Sequence, residues 1–72
     1  MNEHQFVLRG EYVELHVLLK LLAIADSGGA AKAMVADRLV RVDGQVETRK
    51  ARKLRAGSRV EVAGQTITVL AA

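Results

Sequence analysis

The chain has no cysteine, two aromatic residues, two histidines and no long apolar run, and each shortage closes off a class of protein. Without cysteine, neither a disulfide framework nor thiolate metal ligation can supplement the core, so the fold must stand on apolar packing. The stretch Leu21-Leu22-Ala23-Ile24-Ala25 is bounded by Lys20 and Asp26 and falls far short of the ~20 residues that span a bilayer. Met1-Asn2-Glu3-His4 shows neither the basic region nor the small-residue cleavage site of a secretory signal, so a cytoplasmic location is the default expectation. The histidines, His4 and His16, are the only side chains that titrate near neutrality without help. His4 falls in a terminus expected to fray, and His16 reads as a partly exposed filler on a helix rather than a general base. No H-x-x-x-H spacing or other metal-ligand cluster occurs. An enzyme is not expected, nor any cofactor or metal.

Half of the 72 residues are apolar, mostly Val, Leu, Ile and Ala, which argues for a folded chain rather than a disordered one. At this length a single domain over residues 1–72 is expected, burying only ~60% of the surface of its unfolded chain. Gln5 to Arg9 is a short extended candidate for an edge strand. From Val13 to Ala25, Leu15, Leu18, Leu19 and Leu22 recur at the i, i+3, i+4, i+7 spacing of a core helix, with Val17, Leu21 and Ile24 widening the buried arc. Asp26-Ser27-Gly28-Gly29 breaks that pattern with capping residues and permissive glycines. A second, alanine-rich helix over Ala30 to Asp37 follows, with Ala31, Met34 and Val35 on one side. Asp43-Gly44 between Leu39–Val42 and Val46–Thr48 is a strong hairpin signal. Ala63-Gly64-Gln65 between Arg59–Val62 and Thr66–Leu70 marks a second hairpin. The expected fold class is α+β: two packed N-terminal helices, helix-turn-helix-like, against a small antiparallel sheet of hairpins.

The net charge of +3 hides an asymmetry. Residues 1–37 hold three cations against five carboxylates, a net −2, and residues 38–72 hold eight against three, a net +5. Between Thr48 and Val60 there are six cations and no carboxylate, so no acid within that segment neutralises it. A short charge run is often a solvated loop. Here Arg49, Lys50, Arg52, Lys53 and Arg55 follow a tight hairpin, which presents them from a rigid platform and favours a phosphate-binding patch. Lys32, Arg38 and Arg41 join the same face if the second helix packs beside the first hairpin.

Ser27-Gly28-Gly29 before a helix offers N–H groups to an anion, but no Lys-Ser/Thr follows the glycines, so the turn reads as a cap rather than a nucleotide site. A DNA-reading second helix would carry Arg, Asn and Gln for base edges, whereas this one offers Lys32 and alanines. Backbone and shape recognition of structured RNA fits better. With so few aromatics, stacking of splayed bases is not expected to dominate.

Leu18-Leu19, Ser27 through Lys32 with Val35, Val40-Arg41-Val42-Asp43-Gly44, and Gly57 before Val60-Glu61-Val62 follow one another in an order that resembles a known family. It is the αL RNA-binding motif named for ribosomal small-subunit protein four, and the resemblance spans about residues 13–62. Within it, Ser27–Lys32 and Val42–Lys50 are similar to the small stand-alone bacterial proteins of the YbcJ type. The resemblance implies an αL fold and RNA binding through the second helix and the segment around the hairpin, here Lys32, Arg41, Arg49, Lys50, Arg52 and Lys53. Two positions depart from the pattern: Gly28 stands where the family often has arginine, and Arg38 where a glycine usually ends the second helix. Fewer helix-borne cations imply weaker or different contacts there, while Arg38 adds a cation beside the hairpin at a helix end that glycine accepts more easily.

The expected activity is therefore non-catalytic binding of structured RNA, ribosomal or transfer RNA, by a monomer acting in translation or RNA metabolism, with the ribosome or assembly factors as further partners. The competing expectation is an interaction adaptor that docks its basic loop on an acidic protein such as a ribosome-assembly factor. A ubiquitin-like carrier is not expected, since Leu70-Ala71-Ala72 stands where such a protein has its Gly-Gly tail.

Overall fold

The computed structural model describes residues 2–72. Nine elements follow in the order β1 (Asn2–Val7), β2 (Val13–Glu14), α1 (Leu15–Leu21), α2 (Gly28–Ala36), β3 (Val40–Val42), β4 (Gln45–Val46), β5 (Lys53–Leu54), β6 (Arg59–Val62) and β7 (Gln65–Leu70). A five-stranded sheet runs β1-β7-β6-β3-β4, and β2 pairs with β5 in a separate two-stranded ribbon. The architecture is α+β with an αL core, as the sequence leads one to expect.

Both hairpins turn on two residues with positive φ, Asp43 (51°) with Gly44 (83°) and Ala63 (51°) with Gly64 (74°). That combination matches the right-handed twist of the flanking strands. Gln65 belongs to β7, so the second turn is one residue shorter than the sequence suggests. The hairpin registers turn alternate residues inward: Val40, Val42, Val60, Val62, Ile67 and Val69 are buried, whereas Arg41, Arg59 and Glu61 are exposed. The buried set closes over Leu15, Leu18 and Leu19 of α1 and Ala31 and Val35 of α2. Ala31 lets the two helices approach closely.

Strand β1 does lie at the edge, but it starts at Asn2 and pairs in parallel with β7, from Asn2 opposite Gln65 to Val7 opposite Leu70. The sheet is thus mixed rather than wholly antiparallel. His4 lies inside this strand with its Nε2 2.6 Å from Gln65 Oε1, so its segment is held rather than frayed.

Helix α1 is shorter than the periodicity predicts. Val13 and Glu14 are diverted into pairing with Leu54 and Lys53. At the other end Ala23 takes φ 58°, the Ala23 N–H donates to Lys20 O, and the Ile24 N–H donates to Leu19 O. This is the two-bond helix stop in which the residue after the cap is left-handed. Leu21 consequently ends 60% exposed and does not widen the buried arc, while Leu22 and Ile24 pack partly against the core. Helix α2 stops the same way: Arg38 at φ 63° donates its N–H to Val35 O, and the Leu39 N–H reaches Met34 O. Its start is capped by Ser27 Oγ, which accepts from the Ala30 N–H at 3.1 Å.

Candidate nucleic-acid interface

The basic segment leaves the first hairpin at Thr48 and returns to the fold through β5. Its main chain is fastened to α1, because the Leu15 N–H donates to Arg52 O and the His16 N–H to Lys50 O. Two N–H groups that a helix start leaves without intrahelical partners are satisfied in this way. The His16 ring is 2.7 Å from the same Lys50 carbonyl through Nδ1, which fixes Nδ1 as the donor. With the Lys50 and Arg52 carbonyls committed to the helix, the segment leaves Arg49, Lys50 and Lys53 exposed to solvent.

A second fastening comes from Glu47, the only buried charged residue among those described. Its Oε2 accepts from the Arg49 N–H (3.0 Å) and Arg49 Nε (3.2 Å), and its Oε1 accepts from Arg49 (3.2 Å) and Arg52 (2.7 Å). The Glu47 carboxyl is held at about 2, well below its ordinary 4.5, chiefly by the Arg49 hydrogen bond and then by Arg52, against the opposing cost of burial. The same contact raises the pKa of the Arg49 guanidinium. The Arg49 side chain is still 73% exposed against 8% for Glu47. One acid beneath the surface therefore orders two arginines, Arg49 facing outward and Arg52 half-buried.

Arg49, Lys50, Arg52 and Lys53, with Thr48 and Ala51, line one open concavity. Arg55 adjoins it across Tyr12, since Lys53 Nζ lies 4.9 Å and the Arg55 guanidinium carbon 5.6 Å from the Tyr12 ring centroid. Arg38 and Arg41 lie elsewhere. They line a separate depression at the sheet surface together with Glu61, Gln65 and Thr66. Lys32 is exposed on α2 and lines neither depression.

Three residues of this region escape a reading of charge alone. Glu47 counts there only as one of three carboxylates and as a strand residue, although an acid two positions before Arg49 and five before Arg52 is the one signal of a local anchor. His16 holds the loop through a pairing 34 residues away, which no local pattern announces. Tyr12 meets Lys53 and Arg55 only because β2 pairs with β5. Among the described residues no cluster of His, Cys, Asp and Glu is arranged to hold a metal ion.

Comparison with known proteins places this geometry. The S4 domain model matches residues 6–70, a wider span than the 13–62 on which the sequence resemblance rests. YbcJ of Escherichia coli (strain K12), which carries a provisional RNA-binding name, is 48% identical over 60 residues, covering 83% of this chain and 86% of its own. The uncharacterised YbcJ of Shigella flexneri matches with the same identity and coverage. A solution structure of Escherichia coli YbcJ, described as revealing an αL motif involved in RNA binding, superposes with a TM-score of 0.72. Its identity is 44%, over 97% of this chain and 90% of that one. From the fold, the placement of the hairpins and these matches together, the chain belongs to the S4 domain family.

Proposed function

We propose that this protein binds structured RNA, ribosomal or transfer RNA in the first instance, through the face formed by Arg49, Lys50, Arg52, Lys53 and Arg55. The observation that carries this reading is the fastening of residues 48–53 by Glu47 and by the start of α1, which leaves Arg49, Lys50 and Lys53 exposed and Arg52 half-exposed around one concavity. Ordered cations lose less conformational freedom on meeting a phosphate than cations on a loose tail, so more of each interaction appears as affinity. Helical RNA shows a protein mainly its phosphates, its 2′-hydroxyls and its shape. Contacts of the phosphate kind position the ligand without reading its sequence. The proposed activity is non-catalytic, and the RNA-binding name and structure description of Escherichia coli YbcJ support the binding.

The ion pairs dictate which variant tests this. Removing Arg49 or Arg52 strips partners from a buried carboxylate and would confuse loss of binding with loss of fold. Lys50, Lys53 and Arg55 make no hydrogen bond or ion pair with Glu47, so the combined variant Lys50→Ala, Lys53→Ala, Arg55→Ala is the clean one. Affinity for a folded RNA and for duplex DNA would be measured across a salt series. The expected result is tighter RNA binding by the native protein. In the variant, the slope of log K against log salt should be shallower by about 0.9 for each phosphate that is no longer neutralised. Salt-insensitive binding, or no binding to either nucleic acid, would overturn the reading and leave an acidic protein as the partner to test.

A further inference from the structure

Phe6 packs partly against the core, so Tyr12 is the one aromatic ring that the described chain leaves substantially open, 42% exposed. Its position follows from the β2–β5 ribbon. Val13 opposes Leu54 in register, and Leu54 is fully buried, so the residue before Val13 turns to the other side. There the ring meets Lys53 at 4.9 Å and Arg55 at 5.6 Å, and Lys53 also lines the basic concavity. An exposed aromatic with two cations at its margin, continuous with a phosphate-binding face, has the parts that single-stranded nucleic-acid sites combine: a π-surface for a base and positive charge for the backbone beside it.

We propose that Tyr12 is the stacking platform for one unpaired nucleobase of the bound RNA, with Arg55 and Lys53 taking the phosphate next to that base. The proposal rests on the RNA-binding reading above and narrows its ligand. Bases within an RNA helix are stacked on each other, so a side chain can stack only on a base that is bulged, looped or terminal. The preferred ligand is then a helical RNA that carries an unpaired nucleotide, its helix phosphates on Arg49 and Lys50 and its extruded base on Tyr12. Cation–ring contacts at an exposed site are weak, so an incoming base can displace one cation from the ring toward the phosphate. Glu14 opposes Lys53 in register, which disfavours a phosphate centred on Lys53 and draws it toward Arg55.

Tyr12 is the only tyrosine and there is no tryptophan, so intrinsic tyrosine fluorescence reports this one ring. The probes are an RNA duplex with a single bulged nucleotide, and the same duplex with an abasic residue at the bulge, equal in charge and length. The native protein is expected to prefer the bulged base by roughly five- to a hundredfold, with fluorescence quenched by that RNA and much less by the abasic one. Tyr12→Leu is expected to bind both RNAs as the native protein binds the abasic one, and Tyr12→Phe to retain the preference. Equal affinity of the native protein for the two RNAs would overturn the stacking role while leaving RNA binding intact. Failure to bind either RNA would remove the RNA-binding reading itself. Because the abasic comparison uses the native protein, it decides the question even where a Tyr12 variant folds poorly.

Discussion

The cations of the loop and those of the sheet surface differ in where their acids stand. Around the loop concavity the nearby acid is Glu47, its side chain only 8% exposed, and both ion pairs of the described chain converge on it. Among the described residues, Lys50, Lys53 and Arg55 have no carboxylate partner. On the sheet surface Arg41 lies opposite Glu61 in register, Arg38 and Arg41 share their depression with Glu61, and Arg59 shares the next one with Asp43 and Glu61. The loop thus puts its acid behind the cations, and the sheet puts its acids among them. A phosphate entering the loop concavity meets a lining without a carboxylate, although Glu14 stands opposite Lys53 across the ribbon, while one approaching the sheet meets linings that contain Glu61 or Asp43. Placement of the acids, more than the number of cations, separates an anion-binding face from an ordinary mixed surface.

The largest expected effect tests this contrast directly. Lys50→Ala, Lys53→Ala, Arg55→Ala removes three cations from the loop, and Arg38→Ala, Arg41→Ala, Arg59→Ala removes three from the sheet surface. Both change the net charge equally. At about 0.5 to 1.5 kcal/mol for each phosphate interaction removed, the loop variant is expected to bind RNA roughly ten- to a thousandfold more weakly. The sheet variant should stay within about threefold of the native protein, since Glu61 and Asp43 line the same depressions as its arginines and oppose an incoming phosphate. Comparable losses in a filter-binding or anisotropy titration would erase the distinction between the two regions.

The sequence conveys the two regions unequally. Asp43-Gly44 and Ala63-Gly64 are local signals, and local turn chemistry is enough to place both hairpins and hence Arg41, Arg59 and Glu61 on one exposed face. Ser27 and the alanine-rich run likewise locate α2. What stays hidden depends on distant pairing: β1 adds to β7 across the whole length of the chain, and β2 is a two-residue strand defined only by β5. Because β2 takes Val13 and Glu14, and Ala23 rather than a glycine accepts the left-handed stop, the apolar periodicity of α1 overruns both its ends. For the site, the run of cations is legible as a run. Its rigidity is not, since that comes from a buried carboxylate and from the backbone donors of a helix 34 residues or more upstream.

A middle-sized effect tests what holds the loop. Glu47→Gln keeps the shape of the side chain but removes the charge and one acceptor. Arg49 and Arg52 are free to hydrate on the exposed side, so the cost is that of the charged hydrogen bonds given up, about 1 to 2 kcal/mol at pH 7 by urea or thermal unfolding. The counterpart Glu61→Gln, on an exposed residue with no described side-chain hydrogen bond, should change stability by less than about 0.5 kcal/mol. The Glu47 effect also carries a sign in pH. Its folded-state pKa lies below the ordinary value, so its stabilisation is fully present above about pH 4.5 and is lost as pH falls toward about 2. The gap between native protein and Glu47→Gln should close over that interval. A gap that stays constant would mean that Glu47 acts through packing and not through its charge.

The smallest effect separates backbone strain from charge at the sheet surface. Arg38 and Ala23 occupy equivalent places, each the left-handed residue after a helix cap, at φ 63° and 58°. A residue with a Cβ costs about 1 kcal/mol in that conformation, whereas glycine adopts it freely but loses more entropy on folding. Arg38→Gly and Ala23→Gly are therefore each expected to stabilise the fold by about 0.5 kcal/mol, a gain visible as a higher urea midpoint with an unchanged slope. Only Arg38→Gly also removes a charge. With the backbone effect common to both, any difference in RNA affinity between the two variants belongs to the Arg38 guanidinium. A difference under about twofold keeps Arg38 outside the binding face, where its shared depression with Glu61 puts it. A loss as large as that of Lys50→Ala alone would instead make the sheet surface a second arm of the interface, and would explain why a strained arginine occupies a helix end that suits glycine.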